Sequence, residues 1–557
     1  MSRRRRNSRR SLALMGGLAA LLCVSIYVFA LWTSPPTRFD DSYMFLRYAN
    51  NLIAGHGHAW DAGGEQVYGS TSLLHVGVVT LLKYSLSGLT DARLLLLASA
   101  LPGALMLAML VVTCGRFSTH RLLHRHYALW AGLLMPTLAL SGIVLYHHRT
   151  GMDTMLATLC NAALICFTMR AARQGTVRHV APVVVAGYLA FLARPDNGIY
   201  ATLFPVLCFL LLGSGLRGKQ IVVFAASMVG VLAVDAVVKW TVFGTPLPLA
   251  FYAKQHGAYA GYANPEGPNP LLLLQTFLGV VLPFLCVILL LANRRTKPIV
   301  VVFFVPVALT FGYYFTVNQI MGVAGRFYMP SLPFFVVAAA LMLDEQFREV
   351  GSKGLFRPKE LLLRLTVLLL ILAVGRQTLA HASAWYQKGL AEKAAAVVPR
   401  TYETPAAKPL PPVDRWEALG AMARIAEDAP RGTTIALSEH GLIGASAPQV
   451  VLIDLVGLHD RQFAMHGFFA EELFRRKPDL IWMAHYHYTH IVGSILDSKP
   501  FWKDYTFYPG AFDYGLAVRN ESPHFNALSV LIDRQWKDMY GDLDPRQYAT
   551  VSRPAGR

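Results

Sequence analysis

Uncharged apolar runs recur along this chain, most of them close to the ~20 residues an α-helix needs to cross a hydrocarbon core. A helix satisfies all its backbone polar groups internally, so a chain made of such runs has a bilayer as its natural solvent. The runs lie at 11–32, 91–115, 127–146, 151–170, 178–193, 197–213, 219–242, 270–292, 298–317, 328–345 and 360–381, giving about 11 spans. A further stretch, 72–89, is shorter and interrupted by His75 and Lys83, and reads as re-entrant or interfacial. Composition agrees: 54% of the 557 residues are hydrophobic and 15% charged, whereas soluble domains carry about 25% charged residues. Six cysteines in such a length exclude a disulfide scaffold, and the apolar content excludes a disordered chain.

The net charge of +18 would suggest nucleic acid in a soluble protein. Here many basic residues instead form clusters between spans, which is a topology signal, and no nucleic-acid partner is expected. Arg3 to Arg6, Arg9 and Arg10 precede the first run, which reads as a retained span with a cytoplasmic N-terminus. If 72–89 does not cross, the clusters at Arg116, Arg170, Arg217, Arg294 and Arg348 all face the cytoplasm. Residues 33–71, the corners 147–153, 194–197 and 318–327, the loop 243–269 and everything after 381 then face outward. The expected organisation is an α-helical polytopic membrane module over 1–381, with 33–71 as its first extracytoplasmic loop, and an extracytoplasmic α/β domain over 382–557. In that domain, helical patterns at 385–398 and 415–427 accompany strand-like runs at 434–438, 450–456 and 479–483. The expected location is a bacterial cytoplasmic membrane.

Residues with no membrane duty gather on the outward side. Asp40 and Asp41 open an amphipathic pattern directly after the first span, where either could cap a helix. Adjacent carboxylates also repel, which leaves one poised to accept a proton. Arg149, Arg194, Lys254 and Arg326 sit at outward corners, against the charge rule, and together suit an anionic ligand such as a lipid-linked phosphate. Cations to stabilise a phosphate leaving group and a carboxylate to deprotonate an acceptor hydroxyl are the two halves of a transfer from a lipid carrier. His148 beside His147 is a candidate ligand or acceptor residue, and Asp235 is spaced to pair with Lys239. His485-Tyr486-His487 has a metal-ligand spacing without a nearby carboxylate and reads as an aromatic face; no metal site is assigned, although the acidic pair leaves a divalent cation open as a cofactor.

The stretch Asp40-Asp41-Ser42-Tyr43 through Arg47-Tyr48-Ala49, Asn51-Leu52, Gly55 and Gly57, then Gly64-Glu65 and Val67-Tyr68-Gly69-Ser70-Thr71-Ser72, resembles the first extracytoplasmic loop of GT-C polytopic glycosyltransferases. Within that superfamily it is most similar to bacterial terminal arabinofuranosyltransferases, which use decaprenyl-phosphoryl-arabinose. The likeness continues through Thr150 to Thr154, Ala193 to Gly198, Phe243 to Lys254 and Gly325-Arg326-Phe327, and reaches Asp454-Leu455-Val456-Gly457-Leu458-His459-Asp460. The resemblance implies that Asp40 and Asp41 carry the essential carboxylate, that Glu65 and Tyr68 line the substrate site, and that Arg194 and Arg326 lie near the donor phosphate. Asp153 and Asp196 fall within the matching corners as substrate-binding candidates; family members often carry Glu at the position of Asp153 and Asn at that of Leu249. The implied reaction moves a pentofuranose, arabinofuranose by resemblance, from polyprenyl phosphate to a glycan or a protein such as a pilin. A hexosyl or aminosugar transferase of the same superfamily, and a lipid-linked-glycan flippase or export protein, remain the alternatives.

Overall fold

The computed structural model describes residues 24–33, 38–120, 123–256, 270–317, 321–351, 410–485 and 488–550, together with a few isolated positions. The expected span 360–381, the helix at 385–398, the basic residues 3–10 and part of the run 11–32 lie outside the described residues, as do Tyr486 and His487. Among the described residues, seven helices are long and apolar enough to cross a membrane: Asp91–Phe117, Thr154–Gln174, Pro195–Leu212, Arg217–Phe243, Pro270–Leu291, Lys297–Tyr314 and Val323–Arg348. The run at 127–146 is broken. Its helix Tyr127–Leu134 passes into a π-turn at Met135–Ala139 that contains Pro136, and a separate helix resumes at Gly142–His147. Leu73–Ser85 spans 13 residues, about 20 Å of helix and too short for a hydrocarbon core of about 30 Å.

Packing divides the chain into two compact units. The first comprises residues 1–37, 95–233 and 268–392. Its centre is the helix Leu332–Gly351, which packs against Thr154–Gln174, Pro270–Leu291 and Lys297–Tyr314. Burial separates centre from periphery: 89% of the apolar window in Val323–Arg348 is inside the protein, against 11% for Arg217–Phe243, whose exposed Val222 and Val229 suit lipid contact. Aromatic edges lock the centre, with Phe204, Phe303 and Phe334 in one cluster and Phe277, Phe311, Tyr328 and Phe335 in another.

The second unit comprises 38–94, 234–267 and 393–557. Its sheet contains β1 (Thr434–Leu437), β2 (Val451–Asp454), β3 (Leu480–Trp482), β4 (Tyr505–Tyr508) and β5 (Leu516–Arg519), in the order β2-β1-β3-β5-β4. The first three are parallel, with Ile435 opposite both Leu452 and Leu480, while β5 runs antiparallel to β3 and β4. The crossover from β1 to β2 runs through Gly441–Ser446, and that from β2 to β3 through Arg461–His466 and Ala470–Arg475. Helices Arg415–Asp428 and Phe525–Tyr540 pack on each other. The strand-like runs at 434–438, 450–456 and 479–483 become β1, β2 and β3; the sequence reading did not single out β4 and β5. The helix Asp40–Ile53 belongs to this unit, packing through its apolar stripe against Leu73–Ser85 and Gly441–Ser446.

Candidate functional site

In the first unit, three corners bring charged residues together. Asp153 precedes Thr154–Gln174, Arg194 and Asp196 flank the helix break at Pro195, and Arg326 follows the turn Val323–Gly325. Arg194 grips Asp196 bidentately, at 3.0 and 2.7 Å, and lies 3.7 Å from the fully buried Asp153. Arg326 donates to the same Asp153 oxygen at 2.9 Å, so one carboxylate joins two guanidinium groups. The Tyr314 hydroxyl donates to Asp196 at 2.8 Å, and the face of Phe327 lies 5.0 Å from the Arg194 guanidinium. The approach to Arg326 is strained. Ala324 has φ +55°, a left-handed conformation costing about 1–2 kcal/mol for a residue with a Cβ. Next to it Gly325 has φ +70°, where an added Cβ would meet the Leu273 carbonyl at 3.0 Å. The Ala324 carbonyl accepts a hydrogen bond from His147 Nε2 at 3.0 Å.

The other candidates in this unit are placed separately. Arg149 is half-buried just beyond Gly142–His147. His148 is wholly buried, bonded to the Tyr27 hydroxyl and packed against Gly103, where an added Cβ would meet its Nε2 at 2.4 Å.

In the second unit, Asp40 opens Asp40–Ile53 but caps a different helix. Its two carboxylate oxygens accept the backbone N–H groups of Gly441 (3.0 Å) and Leu442 (2.8 Å), at the start of Gly441–Ser446. Burial, with the Glu439 charge added, raises its pKa above the usual carboxylate range. Gly441 is required by this contact, because a Cβ there would lie 1.9 Å from the Asp40 carbonyl oxygen. Asp41 is half-buried one residue on.

Two turns along the same helix, Arg47 is 1% exposed, and all its donor nitrogens are engaged. It bonds the carbonyls of Trp60 (2.6 Å), Gly444 (2.9 Å), Ala447 (3.2 Å) and Val450 (3.0 Å), and pairs with Asp61. Asp61 also accepts the Leu452 N–H at 3.0 Å, so this guanidinium ties the loop at 60–61 to the parallel strands. Burial pushes the Arg47 pKa down and that of Asp61 up, in each case against the pull of its partner.

At the C-terminal ends of β1 and β2 lies a buried set of His440, Asp454 and His459, Asp454 being the last residue of β2. Asp454 accepts the N–H groups of Val456 (2.9 Å) and His459 (2.8 Å), and lies 3.4 Å from His440 Nε2. Burial disfavours the His440 imidazolium, but the Asp454 carboxylate outweighs it and lifts the pKa to about 9. Burial and the adjacent His440 charge hold His459 well below its ordinary value. His459 is stacked on Trp60, with ring centroids 3.8 Å apart, and its Nδ1 is 2.8 Å from the Tyr48 hydroxyl.

A cavity of about 280 Å³ adjoins this set. Trp60, Asp61, Glu65, His459, Asp460 and Arg461 contribute to its wall. Glu65 lies 3.4 Å from Arg461, which also bonds the Gln66 and Phe243 carbonyls at 3.1 and 2.7 Å. Tyr68 is buried, stacks on Phe243 and lies under the ammonium of Lys239, 5.0 Å from the ring centroid. Lys239 pairs with Asp235 at 2.6 Å, as their i,i+4 spacing predicts. Lys254 is exposed on the short helix Leu249–Gln255.

Sequence reasoning gave no individual role to Arg47, Asp61, His440 or Asp454. The only signal was that Arg47 and Asp454 sit within stretches carrying the family resemblance. Nothing in local spacing connects residues about 400 positions apart.

A family model described as a domain of unknown function (DUF8728) matches residues 412–527. No curated protein matches the chain. Among solved structures, it is similar to the apo state of ArnT from Cupriavidus metallidurans, with a TM-score of 0.52 and 13% identity over 89% of this chain and 97% of that one. It is also similar to the oligosaccharyltransferase AglB from Archaeoglobus fulgidus, in complex with an inhibitory peptide and a dolichol-phosphate, with a TM-score of 0.51 and 13% identity over 94% of this chain and 75% of that one. The chain has the fold of a GT-C type polytopic membrane protein with a C-terminal α/β domain.

Proposed function

We propose that this protein is a membrane glycosyltransferase that moves arabinofuranose from polyprenyl phosphate to a glycan or protein acceptor outside the bacterial cytoplasmic membrane. The observation that carries this reading is the acidic pair at the head of Asp40–Ile53 in a chain of GT-C type fold. The two backbone N–H groups held by Asp40 support Asp41 as the base. In the reaction the acceptor oxygen forms a bond to the anomeric carbon while the bond from that carbon to the phosphate oxygen breaks. The acceptor proton passes to Asp41, and the polyprenyl phosphate leaves with the bonding electron pair. Arg194 and Arg326 neutralise the leaving phosphate, with Asp153 and Asp196 holding the guanidinium groups in orientation. Arg149 and Lys254 add positive charge toward the donor. The polar cavity beside Glu65 and Trp60 receives the acceptor.

The resemblance of residues 40–72 to terminal arabinofuranosyltransferases supports the pentofuranose; the fold alone is equally compatible with a hexose. Membranes containing the protein should therefore be supplied with synthetic polyprenyl-phosphoryl arabinofuranose, a hexose counterpart and candidate acceptors. Arabinose transfer by the intact protein, lost in Asp41→Asn while the variant still inserts, is expected. Hexose transfer alone would refute the sugar assignment, and transfer from neither donor would favour a flippase or export protein.

A further inference from the structure

We propose that His440, Asp454 and His459 form a site for one divalent transition metal ion, zinc by its donor set, in the α/β part of the chain. The three residues are 4%, 0% and 4% exposed, and one ligand atom from each lies within 4.8 Å of the others. Two imidazole nitrogens and a carboxylate oxygen suit zinc rather than calcium or magnesium, which prefer all-oxygen shells.

The surroundings of each residue are those of a ligand. His440 Nδ1 lies 3.1 Å from the Ser438 carbonyl, so it carries the proton of the neutral ring and leaves Nε2 as the lone-pair donor. That Nε2 is buried and has no hydrogen-bond partner. Its 3.4 Å separation from Asp454 Oδ2 is long for a hydrogen bond. It matches the edge of a tetrahedron whose ligands lie about 2.1 Å from a central ion, which is about 3.4 Å. Asp454 is oriented by the Val456 and His459 backbone N–H groups, as ligating carboxylates commonly are. His459 lies flat against Trp60, at an interplanar angle of 8°, with Nδ1 2.8 Å from the Tyr48 hydroxyl and Nε2 3.0 Å from Met44 Sδ, so binding an ion replaces one of these two contacts. His459 also lines the 280 Å³ cavity, which supplies an entry route and a water for the fourth position. The ligands lie at the C-terminal ends of parallel strands, the edge at which open α/β sheets bind their ligands. Binding would tie the loop after β1 to the end of β2 and the loop that follows it. This inference is independent of the sugar transferred.

The test uses full-length, tag-free protein in detergent, stripped with chelator, reloaded with zinc and desalted. One tightly held equivalent per chain is expected, with an X-ray absorption spectrum showing two imidazole nitrogens and oxygen ligands. His440→Gln and Asp454→Asn should lose the ion, whereas His56→Gln, at an exposed position outside the set, should keep it. No retained zinc, a shell without two imidazoles, or equal retention in folded His440→Gln would overturn the site. Should those variants fail to fold, cobalt loading of the wild type decides. A d–d spectrum of four-coordinate nitrogen and oxygen ligation supports the site, and its absence refutes it.

Discussion

Arg47→Met should be among the most damaging single substitutions in the second unit, although it replaces an unbranched side chain by one of similar reach. The native guanidinium meets Asp61 and four backbone carbonyls while almost wholly buried. Breaking a buried ion pair from one side costs about 3–5 kcal/mol, because the remaining charge is left without compensation. Each carbonyl left unsatisfied adds roughly 1–3 kcal/mol. Asp61 retains the Leu452 N–H and its side chain is 24% exposed, so water recovers much of this and a loss of about 4 kcal/mol, within the range for the ion pair alone, is the reasoned expectation. At about 2–4 °C per kcal/mol for a unit of this size, the midpoint should fall by roughly 8–16 °C. Arg47→Lys should be intermediate, since one ammonium with three donors cannot reach the five acceptors of the planar fork. Arg47→Met combined with Asp61→Asn should recover part of the loss by removing the orphaned carboxylate. The assay is thermal unfolding of the purified full chain, with hydrogen exchange followed at residues 441–452 to localise the effect. A midpoint within about 2 °C of wild type for Arg47→Met, with unchanged exchange in that segment, would refute the clamp.

Asp41→Asn should abolish sugar transfer with stability changed by less than about 0.5 kcal/mol, whereas Asp40→Asn should weaken the cap on Gly441–Ser446 by about 1 kcal/mol, read as a lowered thermal midpoint. Gly441→Ala places a Cβ against the Asp40 backbone and should destabilise by about 3 kcal/mol or more; Gly444→Ala meets side chains and no backbone, the Arg47 Cδ at 2.9 Å and the Leu452 Cδ1 at 3.3 Å, and should cost less in the same melt. Asp153→Asn should raise the KM for the lipid-linked donor by loosening both Arg194 and Arg326, and its effect should be non-additive with Arg326→Met in a double-mutant cycle, with coupling above about 0.5 kcal/mol. Additive effects would show that Asp153 does not organise the pair.

How much of this protein was legible in its sequence follows from which interactions are local. Span-length apolar runs report the solvent of a helix, so the membrane character of Asp91–Phe117 or Pro270–Leu291 could be read directly. Alternation and apolar runs likewise marked β1 to β3, and i,i+4 spacing paired Asp235 with Lys239. The short strands β5, antiparallel to β3, and β4, antiparallel to β5, were not singled out. Local pattern also failed at Met135–Ala139, where an apolar run containing Pro136 breaks into a π-turn.

The charged clusters were decided by tertiary structure. Sequence nominated Arg194, Arg326, Asp153 and Asp196 from separate corners, but only the fold could set two guanidinium groups on one buried carboxylate. It nominated Asp40 and Asp41 as an equivalent pair, and packing made them unlike by giving Asp40 the N–H groups of residues 400 positions away. Arg47, Asp454 and His459 were marked only by lying in stretches that carry the family resemblance, and His440 by nothing; no local pattern named their partners. The physical reason is one of range: hydrophobic periodicity is written within a few turns of a helix or strand, whereas the partner that compensates a buried charge can come from any segment the fold brings within a few ångströms.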